Sequence, residues 1–512
     1  MNNRVGVATT SQLAADAAAQ IAECGGNAVD CAIAAAMCSI NTEPGVCALA
    51  GSAYVTIWPP DGEPVTIDGN VSVPGSGLVR GFTPRADNVH MEYGGGIETV
   101  VGPASVAVPG TLAALDLASQ EFGQIPWREL LGPTIDAARN GFPLSAACHY
   151  YLEYSADVVF GRSADGHSAL HDGNGSLLPA GSNIIVPHLA DSLAAIADEG
   201  AQIFYSGEIG QRIAAHVQDN GGLLTRSDLE NYTPLARESL LVQSGDWCVA
   251  TNPPPAIGGT VLSAMLLAFQ DQDISRWDEA SLQRLMQVQD AALSYRKTEL
   301  DPAPGTTAPA TEMLELARSG RLLSRWSSGS LSGSTVHTSV VDESGLACAI
   351  TASSGYGSGE MPATTGLWLN NCLGELELNL HGLDAGPAGR RLPSNMAPGA
   401  ARSKGRVLAM GSPGADRITT ALHQFLVNYI QLGFSLEDAI AHPRMHLAID
   451  DDGSTLAIEA DLDIGEIGIP ITRYPQIGMY FGGVVAAVYD TDDGFAVAAD
   501  PRREGGTYIG PN

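Results

Sequence analysis

The sequence predicts a layered α+β protein, and three observations lead to this prediction. Apolar residues make up 45% of the 512-residue chain, enough to bury one large core. Runs of predicted strands and helices do not simply alternate, which favours separate layers over a doubly wound parallel sheet. The sequence contains neither internal repeats nor a long linker. We therefore expect helices and sheets stacked around a shared core.

Helical patterns begin near the N-terminus. Ser11 can cap a helix over residues 12–23, and Gly25-Gly26 supply its C-terminal stop. The next helix, residues 28–38, is mostly Ala, Ile, Met and Cys, so it is expected to be buried on most sides. Amphipathic patterns predict further helices at residues 110–122, 127–140, 189–198, 208–220, 259–270 and 281–297.

Strand patterns lie between and after these helices. Residues 335–342 alternate in polarity, and residues 346–352 form a second, apolar strand directly after them. The predicted strands, in order, are residues 53–58, 65–68, 335–342, 346–352, 406–410, 484–489 and 495–499.

The charge balance excludes two classes of partner. The net charge is −31, from 57 acidic and 26 basic residues, and the lysines are Lys297 and Lys404. Nucleic acids and anionic membranes both need basic patches, so neither is an expected partner. Residues 1–8 lack the apolar run of a signal peptide, and no stretch is apolar and long enough to span a bilayer.

Cysteine and histidine usage predicts no metal site and no organic cofactor. None of the eight cysteines forms a CxxC pair. Cys24, Cys31 and Cys38 recur every seven residues, which indicates small buried side chains on one face of an apolar helix. The histidines are scattered without ligand spacing. Reduced thiols are typical of a cytoplasmic protein.

Thr335 stands where chain cleavage would create a catalytic N-terminal threonine. It follows the Ser- and Gly-rich residues 327–333 and begins a predicted buried strand. Cleavage between Ser334 and Thr335 would put a hydroxyl and a free α-amine on one residue, and the amine could act as the base. On the local sequence alone, a threonine that merely begins a strand is the simpler interpretation.

Collinear motifs along the chain favour the catalytic interpretation. Their sequences are GGNAVDCAIAAA (25–36), EP (43–44), SVAVPG (105–110), FG (122–123), PW (126–127), GFP (141–143), FYSG (204–207), GGLLT (221–225), PPPAIGG (253–259), LNN (369–371), PSNMAP (393–398), GSPGADR (411–417) and PR (443–444). Their order resembles the γ-glutamyltransferase family of N-terminal-nucleophile hydrolases, from about residue 10 to the C-terminus. The resemblance implies a four-layer αββα sandwich, cut into residues 1–334 and 335–512 that remain one interwoven heterodimer.

The resemblance also implies roles around Thr335, the expected nucleophile. The amides of Gly414 and Ala415 match the Gly-Gly pair that forms the family's oxyanion hole, although the same residues suit a turn before a helix. Ser353 matches a threonine that supports the nucleophile, although it could instead start a turn. Tyr356 belongs to a glycine-rich loop that resembles one near the family's active site.

The expected substrate-binding residues depart from the family pattern. Asn70 stands where transpeptidases have the arginine that holds the glutamyl α-carboxylate, and an amide cannot reproduce a bidentate guanidinium pair. Ser394 and Asn395 replace a pair of serines. Cys372 and Glu375 replace the Gln and Asp that receive the α-ammonium.

Two consequences of these departures stay open. Arg80, Arg390 or Arg391 could meet a substrate carboxylate in place of the lost arginine, although solvation at the surface is the simpler expectation for each. Glu375 could attract an ammonium or could be a solvated acid.

Three functional hypotheses follow. The first is a self-processing hydrolase or acyltransferase that cleaves a γ-glutamyl or related small-acid amide through an acyl-Thr335 ester, with hydrolysis favoured. The second keeps the fold but changes the chemistry, to an acylase, an oxamate-type amidohydrolase or a carbon–carbon bond-cleaving enzyme. The third is an uncleaved, inactive homologue with a binding or structural role. A small-molecule amide is the expected partner in the first.

Overall fold

The computed structural model describes residues 4–78, 81–93, 96–270, 274–324, 335–450 and 453–511. Ser334, on the N-terminal side of the expected cleavage site, lies outside these ranges, as does Arg80.

The predicted helices form close to their expected bounds, and further helices occur between them. The helices are α1 (Gln12–Glu23), α2 (Ala28–Thr42), α3 (Thr111–Phe122), α4 (Trp127–Asn140), α5 (Ala146–Ser155), α6 (Ala164–Leu170), α7 (Leu189–Glu199), α8 (Gln202–Tyr205), α9 (Glu208–Asp219), α10 (Arg226–Glu230), α11 (Ile257–Phe269), α12 (Glu279–Tyr295), α13 (Ala308–Arg318), α14 (Arg417–Leu426) and α15 (Leu436–Ala441). Ser11 caps α1 as predicted, with its side chain accepting from the backbone N–H of Ala14. None of these helices is both long and apolar enough to cross a membrane.

The strands assemble mainly into two antiparallel sheets. They are β1 (Val5–Thr9), β2 (Ser52–Trp58), β3 (Val65–Gly69), β4 (Asp87–Met91), β5 (Ile97–Val101), β6 (Phe142–Pro143), β7 (Asn183–Ile184), β8 (Leu235–Glu238), β9 (Leu240–Ser244), β10 (Trp247–Thr251), β11 (Val336–Asp342), β12 (Ala347–Ser353), β13 (Gly399–Ser403), β14 (Arg406–Gly411), β15 (Met445–Asp450), β16 (Gly453–Glu459), β17 (Ile471–Tyr474), β18 (Val485–Asp490), β19 (Gly494–Ala499) and β20 (Gly506–Gly510). The first sheet has the order β20-β1-β11-β12-β2-β3-β8, and the second has the order β19-β18-β14-β13-β10-β9.

The two sheets lie face to face with helices on both outer sides. Small side chains dominate the space between the sheets, including Ala349, Ala400, Ala409 and Ala487. Helices α1 and α2 cover the first sheet, and α11 and α14 cover the second. The four-layer αββα sandwich is therefore confirmed, and each sheet combines strands from before and after residue 335.

The cysteine prediction holds for two of the three spaced thiols. Cys31 and Cys38 are buried within α2. Cys24 is exposed, and it follows the end of α1 instead of sharing a face with the other two. The prediction was wrong for Cys24 because the break at Gly25-Gly26 separates the two helices.

His423 on α14 is a source of acid sensitivity. Its ring is fully buried against Phe269, and neither ring nitrogen has a hydrogen-bond partner among the described residues. Burial lowers its pKa to about 3. The unfolded chain therefore binds a proton that the folded chain excludes, so stability is lost as pH falls below about 6.5.

We expect the free energy of unfolding of His423→Leu to rise relative to that of the unmodified protein as the pH falls. The difference in free energy of unfolding should shift by about 2 kcal/mol between pH 7 and pH 5, measured by urea denaturation. The same substitution at exposed His381 is the matched control. An equal difference at both pH values for His423→Leu would contradict this account.

Candidate active site

Four polar residues form a row across the open end of the first sheet. Thr335 immediately precedes β11, and Ser353 ends β12. The antiparallel pairing of Val336 with Ala352 puts Thr335 and Ser353 side by side, one position further along each strand. Ser353 pairs with Ser52, and the β2–β3 register places Asn70 next to Ser52. Neighbours across strands have Cβ atoms about 5 Å apart, so the row is continuous.

All four members of this row line one small pocket. Thr335 itself is buried, with 4% of its surface exposed. Ser52 fixes the end of β12, because its hydroxyl donates to the carbonyl of Ser353 at 3.1 Å. The hydroxyl of Ser353 accepts a long hydrogen bond from the Gly355 amide at 3.4 Å. Ser353 therefore lies beside Thr335, which is the position that the expected supporting role would require.

His337, two residues after Thr335, ties this strand to its neighbours. Its ring is held between the hydroxyls of Thr351 at 2.7 Å and Ser339 at 2.8 Å. Burial lowers its pKa to about 3, so the ring is neutral. A Cβ on Gly411 of β14 would lie 2.1 Å from the ring, so only glycine allows this approach between the two sheets.

Gly411 leads into the turn that carries the expected oxyanion donors. Gly414 and Ala415 both have positive φ, of 129° and 51°, and α14 begins two residues after Ala415. The N-terminus of a helix favours negative charge. Ala415 lines the pocket that contains Thr335, whereas Gly414 is not among the lining residues. Gly414 and Ala415 therefore form a turn before a helix, and this geometry is compatible with the expected donor role.

Ala415 holds a left-handed backbone conformation that costs an L-residue about 1–2 kcal/mol. We expect Ala415→Gly to relieve this strain and raise the free energy of unfolding by about 1 kcal/mol, measured by urea denaturation. The matched control is Ala195→Gly within α7, which should lower stability by about 1 kcal/mol. Equal destabilisation by both substitutions would contradict the strain argument.

Asp416, the next residue, belongs to a buried ionic network. Its Oδ1 accepts from Arg296 at 2.8 Å and from the amide nitrogen of Asn395 at 2.6 Å. Arg296 also donates to Asp301 at 3.1 Å. This network fixes the turn that carries Ala415 to the segment that follows α12.

Two further buried carboxyl groups line the same pocket. Glu375 is 7% exposed, and burial raises its pKa to about 7. Burial also raises the pKa of Glu377 well above its ordinary value, and the hydroxyl of Tyr356 donates to it. Glu375 is therefore not a solvated acid.

Tyr356 and Cys372 occupy different positions with respect to the pocket. Tyr356 is fully buried and is not among the described lining residues, and its hydroxyl contacts the pocket residue Glu377. Cys372 does line the pocket, and burial raises the pKa of its thiol well above its ordinary value.

The residues expected at the carboxylate end are engaged by the protein itself. The amide of Asn70 donates to the carbonyl of Leu392 at 2.6 Å and accepts from the Val71 amide at 3.0 Å. The hydroxyl of Ser394 accepts from the amide of Met396 at 3.3 Å. Asn70 and Ser394 are both neutral, so neither supplies the charged pair of a strong carboxylate clamp.

The two described candidate arginines do not enter the pocket. Arg391 pairs with Asp68 at 3.6 Å and covers the ring of Tyr232, with its carbon Cζ 4.3 Å from the ring centre. Arg390 donates to the backbone carbonyls of Pro304 and Ala385. The simpler expectation of solvation was wrong for Arg391, whose side chain is 12% exposed. Lysine and arginine are absent from the described residues that line the pocket.

The pocket opens next to a larger cleft. Its volume is about 40 Å³, and that of the cleft is about 370 Å³. Glu377 and Asp416 line both spaces. The cleft also carries Arg296, Lys297 and an apolar wall that includes Leu380. A small group fits beside Thr335, while a bulkier group has room beyond it.

Several of these residues were not singled out from the sequence. Ser52 becomes recognisable only through strand register, although it directly precedes a predicted strand. Asp416 directly follows Ala415, and this proximity was a usable signal. Arg296 and Glu377 become recognisable only from the folded arrangement.

Comparison with known proteins gives a family match across most of the chain. Residues 14–510 match the family model described as gamma-glutamyltranspeptidase. A glutathione hydrolase proenzyme from Pseudomonas aeruginosa is 28% identical over 475 residues, covering 86% of this chain and 82% of that protein. The Acylase ACY 1 proenzyme from Pseudomonas sp. (strain V22) is 28% identical over 532 residues, covering 98% of this chain and 92% of that protein.

Solved structures share the fold. A cephalosporin acylase from Bacillus halodurans superimposes with a TM-score of 0.82 at 21% identity, covering 99% of this chain and 96% of that chain. The gamma-glutamyltranspeptidase of Helicobacter pylori gives a TM-score of 0.53 at 22% identity, covering 61% of this chain and 88% of that chain.

Proposed function

Because this chain belongs to the gamma-glutamyltranspeptidase family of hydrolases and acyltransferases, we propose that it cleaves itself before Thr335 and then hydrolyses an amide through an acyl-Thr335 ester. The two segments, residues 1–334 and 335–512, would remain together as one heterodimer. The proenzyme names of its relatives support self-processing. The cytoplasmic location expected from the thiols belongs to the same proposal.

The proposed chemistry needs only groups that belong to the chain. The α-amine of Thr335 takes the hydroxyl proton as the oxygen attacks the amide carbon. The resulting oxyanion accepts from backbone amides in the turn at Gly414 and Ala415. Collapse breaks the carbon–nitrogen bond, and the departing amine takes the proton. Water then attacks the ester, releasing the acid and restoring the threonine.

One observation carries this proposal: Thr335 lies in a continuous polar row with Ser353 and Ser52, and it lines one pocket with Ala415. A strand-starting threonine with no catalytic role would not need a neighbouring hydroxyl and a positive-φ turn facing the same space. The arrangement supports the proposed roles of Thr335 as nucleophile, Ser353 as supporting hydroxyl and the turn as oxyanion donor.

The substrate is proposed to be the amide of a small acid. The relatives are named glutathione hydrolase and acylase, and both names describe acyl transfer from an amide to water. The pocket beside Thr335 has room only for a small group, and the cleft can take the rest of the molecule. Water is the favoured acceptor.

The test uses four matched chromogenic amides: butyryl, γ-aminobutyryl, glutaryl and γ-glutamyl p-nitroanilide. Acid quench during turnover should leave one acyl group per heterodimer, attached to the peptide that begins with Thr335. A burst of p-nitroaniline should accompany it. An adduct on another residue, or turnover of none of the four, would contradict the proposal.

A further inference from the structure

The side chain of Asn395 leaves an unsatisfied acceptor at the Thr335 pocket. Asn395 lines the pocket with 7% of its surface exposed, and its amide nitrogen donates to Asp416 at 2.6 Å. Its Oδ1 is buried and has no hydrogen-bond partner among the described residues. A buried amide oxygen without a donor costs about 1–3 kcal/mol, so a ligand that donates there is favoured.

The orientation of this amide is fixed by its neighbour. Asp416 is ion-paired with Arg296 and is therefore a carboxylate, which can only accept hydrogen bonds. Reversing the amide of Asn395 would turn its oxygen towards that carboxylate. The nitrogen must therefore face Asp416, and the oxygen stays without a donor.

Glu375 adds a second hydrogen-bond acceptor, and no described cationic side chain lines the pocket with it. It lines the same pocket with the Cys372 thiol and the carboxyl groups of Asp416 and Glu377. No lysine or arginine among the described residues lines the pocket with it. Its carboxylate form is therefore favoured by a cation brought in by the ligand.

Among the described residues, the pocket offers a substrate carboxylate no cationic side chain. The amide of Asn70 is neutral, and it donates to the carbonyl of Leu392 and accepts from the amide of Val71. Arg391, one of the candidate clamps, instead binds Asp68 and Tyr232. A substrate carboxylate would meet the acceptor oxygens of Asn395 and Glu375, and that contact is repulsive.

We propose that the pocket takes an acyl group that carries a protonated amine and no carboxylate, with the ammonium donating to Asn395 Oδ1 and to the Glu375 carboxylate. This inference rests on the proposed function, since the acyl group is the one transferred to Thr335. It makes the substrate the amide of an amino-substituted small acid and distinguishes it from a γ-glutamyl compound, which carries both charges.

The four p-nitroanilides separate the two charges. Butyryl carries neither, γ-aminobutyryl carries the amine, glutaryl carries the carboxylate, and γ-glutamyl carries both. The value of kcat/KM for γ-aminobutyryl should exceed that for butyryl by about tenfold or more. The carboxylate should lower kcat/KM, so glutaryl should fall below butyryl and γ-glutamyl below γ-aminobutyryl. A highest value for glutaryl or γ-glutamyl would overturn the proposal.

Two variants test the named contacts. Glu375→Gln and Asn395→Ser should each lower the ratio of the γ-aminobutyryl to the butyryl value by about tenfold. The matched control is Glu129→Gln, which removes one exposed carboxylate from α4 and should leave this ratio unchanged. An unchanged ratio in Glu375→Gln would contradict the assignment.

Binding separates this inference from the proposed catalysis. We expect n-butylamine to raise the melting temperature of the full protein, butyrate to have no effect, and Glu375→Gln to remove the effect of the amine. Equal or stronger stabilisation by butyrate, or none by either compound, would overturn the proposal. Binding of the amine by a chain that never cleaves itself would contradict the Thr335 chemistry while supporting this site.

Discussion

Thr335→Ala is expected to yield a folded protein that neither cleaves itself nor turns over any amide. Alanine keeps the strand and the pocket but removes the hydroxyl that attacks in both reactions. We expect the rate of p-nitroanilide turnover to fall by at least about 1000-fold, to the level of the protein-free control. Intact mass and the release of p-nitroaniline measure the two effects.

Thr335→Ser is the matched control for this substitution. Serine keeps the hydroxyl and, after cleavage, the α-amine on the same residue, so both reactions should persist at reduced rates. Circular dichroism and the melting temperature establish that both variants are folded. A processed and active Thr335→Ala protein would exclude Thr335 as the nucleophile.

Arg296→Met should have the largest effect on stability. Arg296 is buried and donates to both Asp301 and Asp416, at 3.1 Å and 2.8 Å. Removing it leaves two buried carboxyl groups without their cation, and burial already raises the pKa of Asp301. Loss of one partner in such a network costs about 3–5 kcal/mol. Turnover should fall as well, because Asp416 is adjacent to Ala415.

The same substitution at an exposed ion pair is the control. Arg128 pairs with Asp198 at 3.2 Å, and its side chain is 75% exposed. Arg128→Met should change the free energy of unfolding by less than about 1 kcal/mol. Urea denaturation measures the free energy of unfolding of the two variants. A similar decrease in both would contradict the claim that the buried network around Arg296 stabilises the fold more than an exposed ion pair does.

The strongly patterned elements could be predicted from the sequence. Helix α1 has a capping serine and a glycine stop, and both act as expected. Strand β13, with the sequence GAARS, contains no β-branched or aromatic residue and was missed. It forms because it pairs with β10 and β14 on either side, and such long-range pairing leaves no local signal.

The candidate site was predictable where recognisable motifs carry its residues. Thr335, Ser353 and Ala415 were all named from the sequence, and all three line one pocket. The partnerships were not predictable, since Asn395 meets Asp416 only after folding. The free oxygen of Asn395 depends on that contact, and therefore no sequence pattern could reveal it.

The distant pairing of Arg391 shows the same limit. Its carboxylate partner, Asp68, also binds Arg237 at 3.0 Å. Three segments that are far apart in the chain meet at this point, where two arginines share one carboxylate. Composition and spacing could not indicate that this arginine is turned away from the pocket.

The central claim, that Thr335 becomes an N-terminal nucleophile, is tested most directly by intact mass and N-terminal sequencing of the purified protein. We predict two fragments, residues 1–334 and 335–512, with threonine as the first residue of the second. A single full-length chain that stays intact over days would contradict the account.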